Sequence, residues 1–126
     1  MKYAYNCLGI PPEQSLEAPM PSPGKHVIGA DFAKEERGQY GKWKGTATLH
    51  VDGEVVATGT IRTMTGHFAL CGEGLCIGYD GGDAVTSDYS GKFDYTGGKI
   101  HKVVFDVADD AYVDVEMHFE AAYSRD

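Results

Sequence analysis

Five histidines, a loop of aspartates and a few aromatic residues at strand ends are the groups through which this chain could do chemistry. His26, His50, His67, His101 and His118 are scattered, and no pair has the H-x-H or H-x3-H spacing that lets two imidazoles share a metal ion. His50 has the strand parity of Thr48, and His118 that of Glu116, so either pair would make an acid/base couple under a covering pocket. Without such a pocket each histidine reads as a hydrogen-bonded surface residue. Asp80-Gly81-Gly82-Asp83, with Asp88 nearby, is the candidate metal site. Hard cations such as Ca2+ take several oxygen ligands from a glycine-bent backbone, and this loop has both. The helix-flanked calcium loop is absent, however, and aspartate and glycine also build any exposed turn. Tyr40, Trp43 and Tyr79 sit at loop–strand junctions, where a flat face can stack on a sugar or another planar ligand. Together with His50 and His67 they form the candidate ligand site. Packing of the single tryptophan between two sheets is the competing reading.

Signatures of nucleophilic or nucleotide chemistry are missing. There is no G-x-S-x-G elbow, no Walker loop and no G-x-G-x-x-G dinucleotide fingerprint. Cys7, Cys71 and Cys76 are odd in number, have no basic neighbour in sequence, and read as reduced thiols. A Cys71–Cys76 bridge is the alternative, if a short hairpin brings the two together. The chain therefore reads as a non-enzyme with no cofactor, calcium being the one cation its residues suggest.

The elements that must position these groups are strands. Lys42–Ile61 carries two Thr- and Val-rich runs that meet at Asp52-Gly53, the dipeptide of a tight hairpin turn. Residues 3–10, Lys25–Ala33, Gly66–Leu70, Leu75–Tyr79, Lys92–Tyr95, Lys99–Val107 and Ala111–Phe119 read as further strands. Gly29 reads as a bulge, and Lys92–Tyr95 and Lys99–Val107 as a second hairpin across Thr96-Gly97-Gly98. All five prolines fall in the segment 11–24, which reads as an extended crossing loop with at most a short helical turn at Glu13–Glu17. No window shows a sustained helical period. The expectation is one all-β domain over residues 1–126, a two-sheet antiparallel β-sandwich, with a closed up-and-down barrel as the alternative.

Composition narrows the partners. A chain of 126 residues with 42% hydrophobic content can bury a core, and its net charge of −8 argues against nucleic acid and anionic lipid. No apolar run approaches the roughly 20 residues of a membrane span, and the first ten residues lack a secretory signal, so the chain reads as cytoplasmic if it is the whole protein, the alternative being a signal outside it. The well-alternating segment Ala111–Phe119 is the candidate edge strand for a homodimer or a partner domain.

Several pieces, taken in order, resemble a known module. They are Tyr5-Asn6-Cys7-Leu8-Gly9, Pro23-Gly24-Lys25-His26, Asp31-Phe32-Ala33, Gly45-Thr46-Ala47-Thr48-Leu49, Val51-Asp52-Gly53, Val56-Ala57, Arg62-Thr63 and Gly98 to Val107. Their order and spacing resemble the C-terminal accessory domain of long bacterial arylsulfatases. That resemblance implies a sandwich of the concanavalin-like or jelly-roll type that acts by packing or by binding a carbohydrate or other small ligand. It brings no sulfatase chemistry, because the C/S-x-P-x-R motif fails at each cysteine: the residue two positions on is Gly9, Glu73 or Gly78. The segment Cys71–Cys76 and the tail after Val107 also depart from the resemblance. A small stand-alone enzyme or ligand-binding barrel, its pocket lined by some of Tyr40, Trp43, His50, His67 and His118, is the alternative function.

Overall fold

The computed structural model describes residues 1–7, 9–64 and 74–107. The chain divides into two compact units, Met1–Thr96 and Gly97–Asp126. The first unit is all-β and antiparallel, and no sheet among the described residues closes into a barrel. Strands β1 (Lys2–Cys7) and β2 (Ile10–Glu17) form a ribbon; β3 (Ile28–Arg37), β4 (Trp43–Val51) and β5 (Glu54–Thr63) form a three-stranded sheet; β6 (Tyr79–Asp80) pairs with β7 (Phe93–Asp94). In the second unit the described residues carry no regular element. Among the described residues no helix is long and apolar enough to cross a membrane.

The β4–β5 hairpin forms as the sequence predicts. Asp52 and Gly53 adopt φ of 52° and 85°, the left-handed pair that a type I′ turn requires. Val51 pairs with Glu54 and Trp43 with Thr63. Alternation along β4 buries Gly45, Ala47 and Leu49 and turns Lys44, Thr46, Thr48 and His50 to the other face. Ala47, Leu49 and Ile61 of the sheet meet Leu16 and Ala18 of the ribbon segment in the core, with Tyr3, Tyr5 and Phe32 packed around them. Two close approaches need glycine. A Cβ at Gly45 would lie 2.0 Å from the Ala33 carbonyl oxygen, and one at Gly59 would lie 2.3 Å from Leu16 Cδ2.

Four expectations are corrected. The proline segment does not open as a crossing loop: Ile10–Glu17 is β2, with no helical turn at Glu13–Glu17 and with a cis Pro11–Pro12 peptide. The ladder explains why. Tyr5 pairs with Gln14 and Cys7 with Ile10, so Pro11 and Pro12 fall where the register breaks and no backbone donor is asked of them. Gly29 pairs regularly with His50; the bulge in β3 lies instead between Lys34 and Glu36. The hairpin across Thr96-Gly97-Gly98 does not form either. Phe93–Asp94 pairs back to Tyr79–Asp80, and the Tyr95 amide donates to the Gly78 carbonyl at 2.9 Å, while Lys99–Val107 carries no strand. Of the expected strand Leu75–Tyr79, only Tyr79 lies in a ladder. Gly66–Leu70, Cys71 and Ala111–Phe119, with the candidate dimer edge and one partner of the alternative Cys71–Cys76 bridge, lie outside the described residues.

Candidate functional site

A cavity of about 500 Å³ lies between the ribbon and one end of the three-stranded sheet. Its volume falls within the range of roughly 300–1,000 Å³ usual for small-molecule sites. Tyr5, Pro11 and Pro12 wall it from the ribbon, and Trp43, Thr63 and Met64 from the sheet. The proline bulge of β2 thus presents two rigid rings to the same space as the one tryptophan.

The sheet end that makes this wall is re-aimed by the β3 bulge. Lys34 pairs with Gly45 and Glu36 with Lys44, so Glu35 is the extra residue and Arg37 comes opposite Trp43. Without that extra residue Arg37 would fall on the outer face. Lys34 Nζ lies 5.6 Å from the centre of the Trp43 ring, a cation–π contact on the same inner face. Lys44 Nζ and Glu36 Oε1, both at the cavity, pair at 2.9 Å across the two strands.

Two side chains of the ribbon fasten it to the sheet at the cavity. Gln14 Nε2 donates to the Arg62 carbonyl at 2.8 Å, and the Arg62 amide donates to Gln14 Oε1 at 2.7 Å. The amide group therefore satisfies both backbone groups of Arg62 at the β5 edge, as a single residue of a neighbouring strand would. Tyr5, the register partner of Gln14, accepts the Met64 amide on its hydroxyl at 2.7 Å.

Of the candidate ligand residues that the structure describes, Trp43 alone lines the cavity. Tyr40 sits at the tip of the β3–β4 connection, in the 3-10 turn Gln39–Gly41, with φ of 59° and 85% exposure. His50 is on the outer face of β4, where Nε2 lies 2.5 Å from Asp31 Oδ2, a close contact without hydrogen-bond alignment. Tyr79 is in β6, paired with Asp94. His67 and His118 lie outside the described residues. The structure does not gather Tyr40, Trp43, His50 and Tyr79 into one site. Tyr5, Pro11, Pro12, Gln14 and Arg37 are the site residues that the sequence reading missed.

The aspartate loop is held by contacts of its own. Asp80 Oδ1 accepts the Gly82 amide at 3.2 Å, and Asp80 Oδ2 accepts the Tyr89 hydroxyl. Burial, and then this carboxylate, push the Tyr89 hydroxyl above its usual range. Asp88 Oδ2 takes Lys2 Nζ at 2.6 Å, which raises the lysine and lowers the carboxyl from their ordinary values. Lys2 also reaches Glu13 Oε1 at 3.3 Å, while Glu13 Oε2 accepts the Ser87 amide at 2.9 Å. Asp83 is exposed, and no group of three metal-ligating side chains forms among the described residues. The acidic loop is thereby tied to the ribbon, and Asp80, Asp83 and Asp88 do not converge on a common point.

Comparison with models of protein families, with curated proteins and with solved structures finds no match to this chain. The likeness to the arylsulfatase accessory domain therefore rests on the residues quoted above alone.

Proposed function

We propose that this chain is a non-catalytic binding module of β-sandwich type, and that the cavity beside Trp43 holds a small ligand with a flat apolar face. The packing of the β1–β2 ribbon over the inner face of the β3–β4–β5 sheet supports the sandwich reading. The observation that carries the ligand reading is the conjunction of Trp43, Tyr5, Pro11 and Pro12 around one space of about 500 Å³. Aromatic and proline rings are rigid, so they offer apolar area to a ligand without a large loss of side-chain freedom. On this reading the accessory role implied by the arylsulfatase resemblance is one of capture rather than catalysis.

The single tryptophan makes the test direct. A panel of small planar and sugar compounds is titrated while Trp43 emission and thermal melting are followed. A true ligand quenches Trp43 saturably and raises the melting temperature as occupancy of the folded state predicts. Trp43→Ala abolishes that melting shift. A panel that moves neither signal sinks the proposal.

A further inference from the structure

The segment Lys99–Val107 has the composition of a strand without a strand's neighbours. It holds no proline or glycine, and Ile100, Val103, Val104, Phe105 and Val107 are β-branched or aromatic. Yet none of its residues belongs to a ladder, and all of them are exposed, Val104 at 69%, Phe105 at 64% and Val107 at 74%. Single apolar side chains on a surface need no explanation. A run of them, on a backbone whose donors and acceptors no strand has taken, marks an interaction site.

The segment is complementary to itself. Laid antiparallel about Val104, two copies bring Lys102 of each against Asp106 of the other, and Val103 of each against Phe105 of the other. Opposite charges and aromatic–β-branched pairs directly across are the pairs that stabilise antiparallel strands. Alternation then gathers Val103, Phe105 and Val107 of both copies on one face of the ribbon, with Lys102, Val104 and Asp106 on the other. A slip of one residue either way sets Lys102 against Phe105 or Val107 and mixes the two faces. We propose that Lys99–Val107 is the interface through which two copies of this chain pair, antiparallel and symmetric about Val104. Every contact occurs twice across the axis, so the pairing closes as a dimer. Two paired strands alone are marginal in water, so the association is weak and develops toward millimolar protein.

The test uses the full chain in about 0.15 M salt, where repulsion between two copies of net −8 is screened within roughly 8 Å. Sedimentation equilibrium follows the mass from about 10 μM to about 1 mM, and hydrogen exchange follows the amides of Lys99–Val107 over the same range. The wild-type chain is expected to pass from monomer to dimer, with exchange in the segment slowing as it does. Lys102→Asp and Asp106→Lys each set like charges across the axis at both ends, and each weakens the dimer about tenfold. An equimolar mixture of the two variants restores opposite charges at both ends and regains dimerisation as a heterodimer. Lys25→Asp changes the net charge as Lys102→Asp does and leaves association unchanged. A chain that stays monomeric throughout overturns the proposal, whether its segment amides exchange freely or are protected. A dimer that neither charge variant weakens, or whose segment exchanges as fast as in the monomer, overturns it as well.

Discussion

His26 holds both ring nitrogens against acceptors: Nδ1 lies 2.7 Å from Asp52 Oδ2, and Nε2 lies 2.7 Å from the Ser22 carbonyl. Only the imidazolium can donate from both positions, so Asp52 first and Ser22 second raise the histidine above its ordinary value. The same contact holds the Asp52 carboxyl below its own. Asp52 also accepts the Val27 amide at 2.8 Å and thereby locks the segment before β3 onto the β4–β5 turn. The sign follows from linkage. A raised histidine contributes stability that is complete below about 6.5, its unfolded value, and is lost as pH rises through the raised folded value. A lowered carboxyl contributes stability above about 3.9 that is lost as pH falls through the folded value. The latch is therefore strongest between those limits. The melting difference between the wild-type chain and His26→Ala should be larger at pH 6 than at pH 9, and a pH-independent difference would falsify the latch. At this scale part of the site was legible: the alternation of β4 already separates Trp43 from His50, because seven positions apart on a strand means opposite faces. Grouping them as one ligand site ignored that parity. Arg37 was not legible, since its face depends on a bulge at Glu35 that no local residue announces.

Among the elements, the β4–β5 hairpin was readable because Asp52-Gly53 fixes a turn and the alternation fixes a register. The ribbon was not. Proline is read as a strand breaker, yet β2 tolerates Pro11 and Pro12 at a break in its ladder. What decides between loop and strand here is a long-range contact: Gln14 and Tyr5 hold the ribbon to the end of β5. Gln14→Ala removes both hydrogen bonds to Arg62, whose backbone then turns to water at the sheet edge. The expected cost is about 1 kcal/mol, since the freed groups are solvated rather than buried. The local signature is sharper than the global one. In Gln14→Ala the Arg62 amide should exchange its hydrogen several-fold faster, and Tyr5→Phe should do the same to Met64. The Ile61 amide points into the β4 ladder by the alternation of antiparallel pairing and should keep its protection. Unchanged exchange at Arg62 would show that the side-chain bridge does not hold the edge.

For the whole molecule, charge is the property that sequence states most plainly and distributes least legibly. A net −8 gives a pI of about 5.0 and argues for a repelled, soluble surface. It hides the gathering of Arg37, Lys42, Lys44 and Arg62 at the cavity, because those residues come from three separate strand ends and the connection between two of them. One response to salt follows from the net charge. Dilute buffer leaves the acidic surface to repel itself over about 30 Å at 0.01 M, and salt at 1 M shortens that reach to about 3 Å. Added sodium chloride should therefore raise the melting temperature of the free chain. The exposed Lys2–Glu13–Asp88 cluster opposes this only weakly, since surface ion pairs contribute little. A melting temperature that fell as salt rose would mean that paired charges, rather than the net acidic surface, set the stability of the chain.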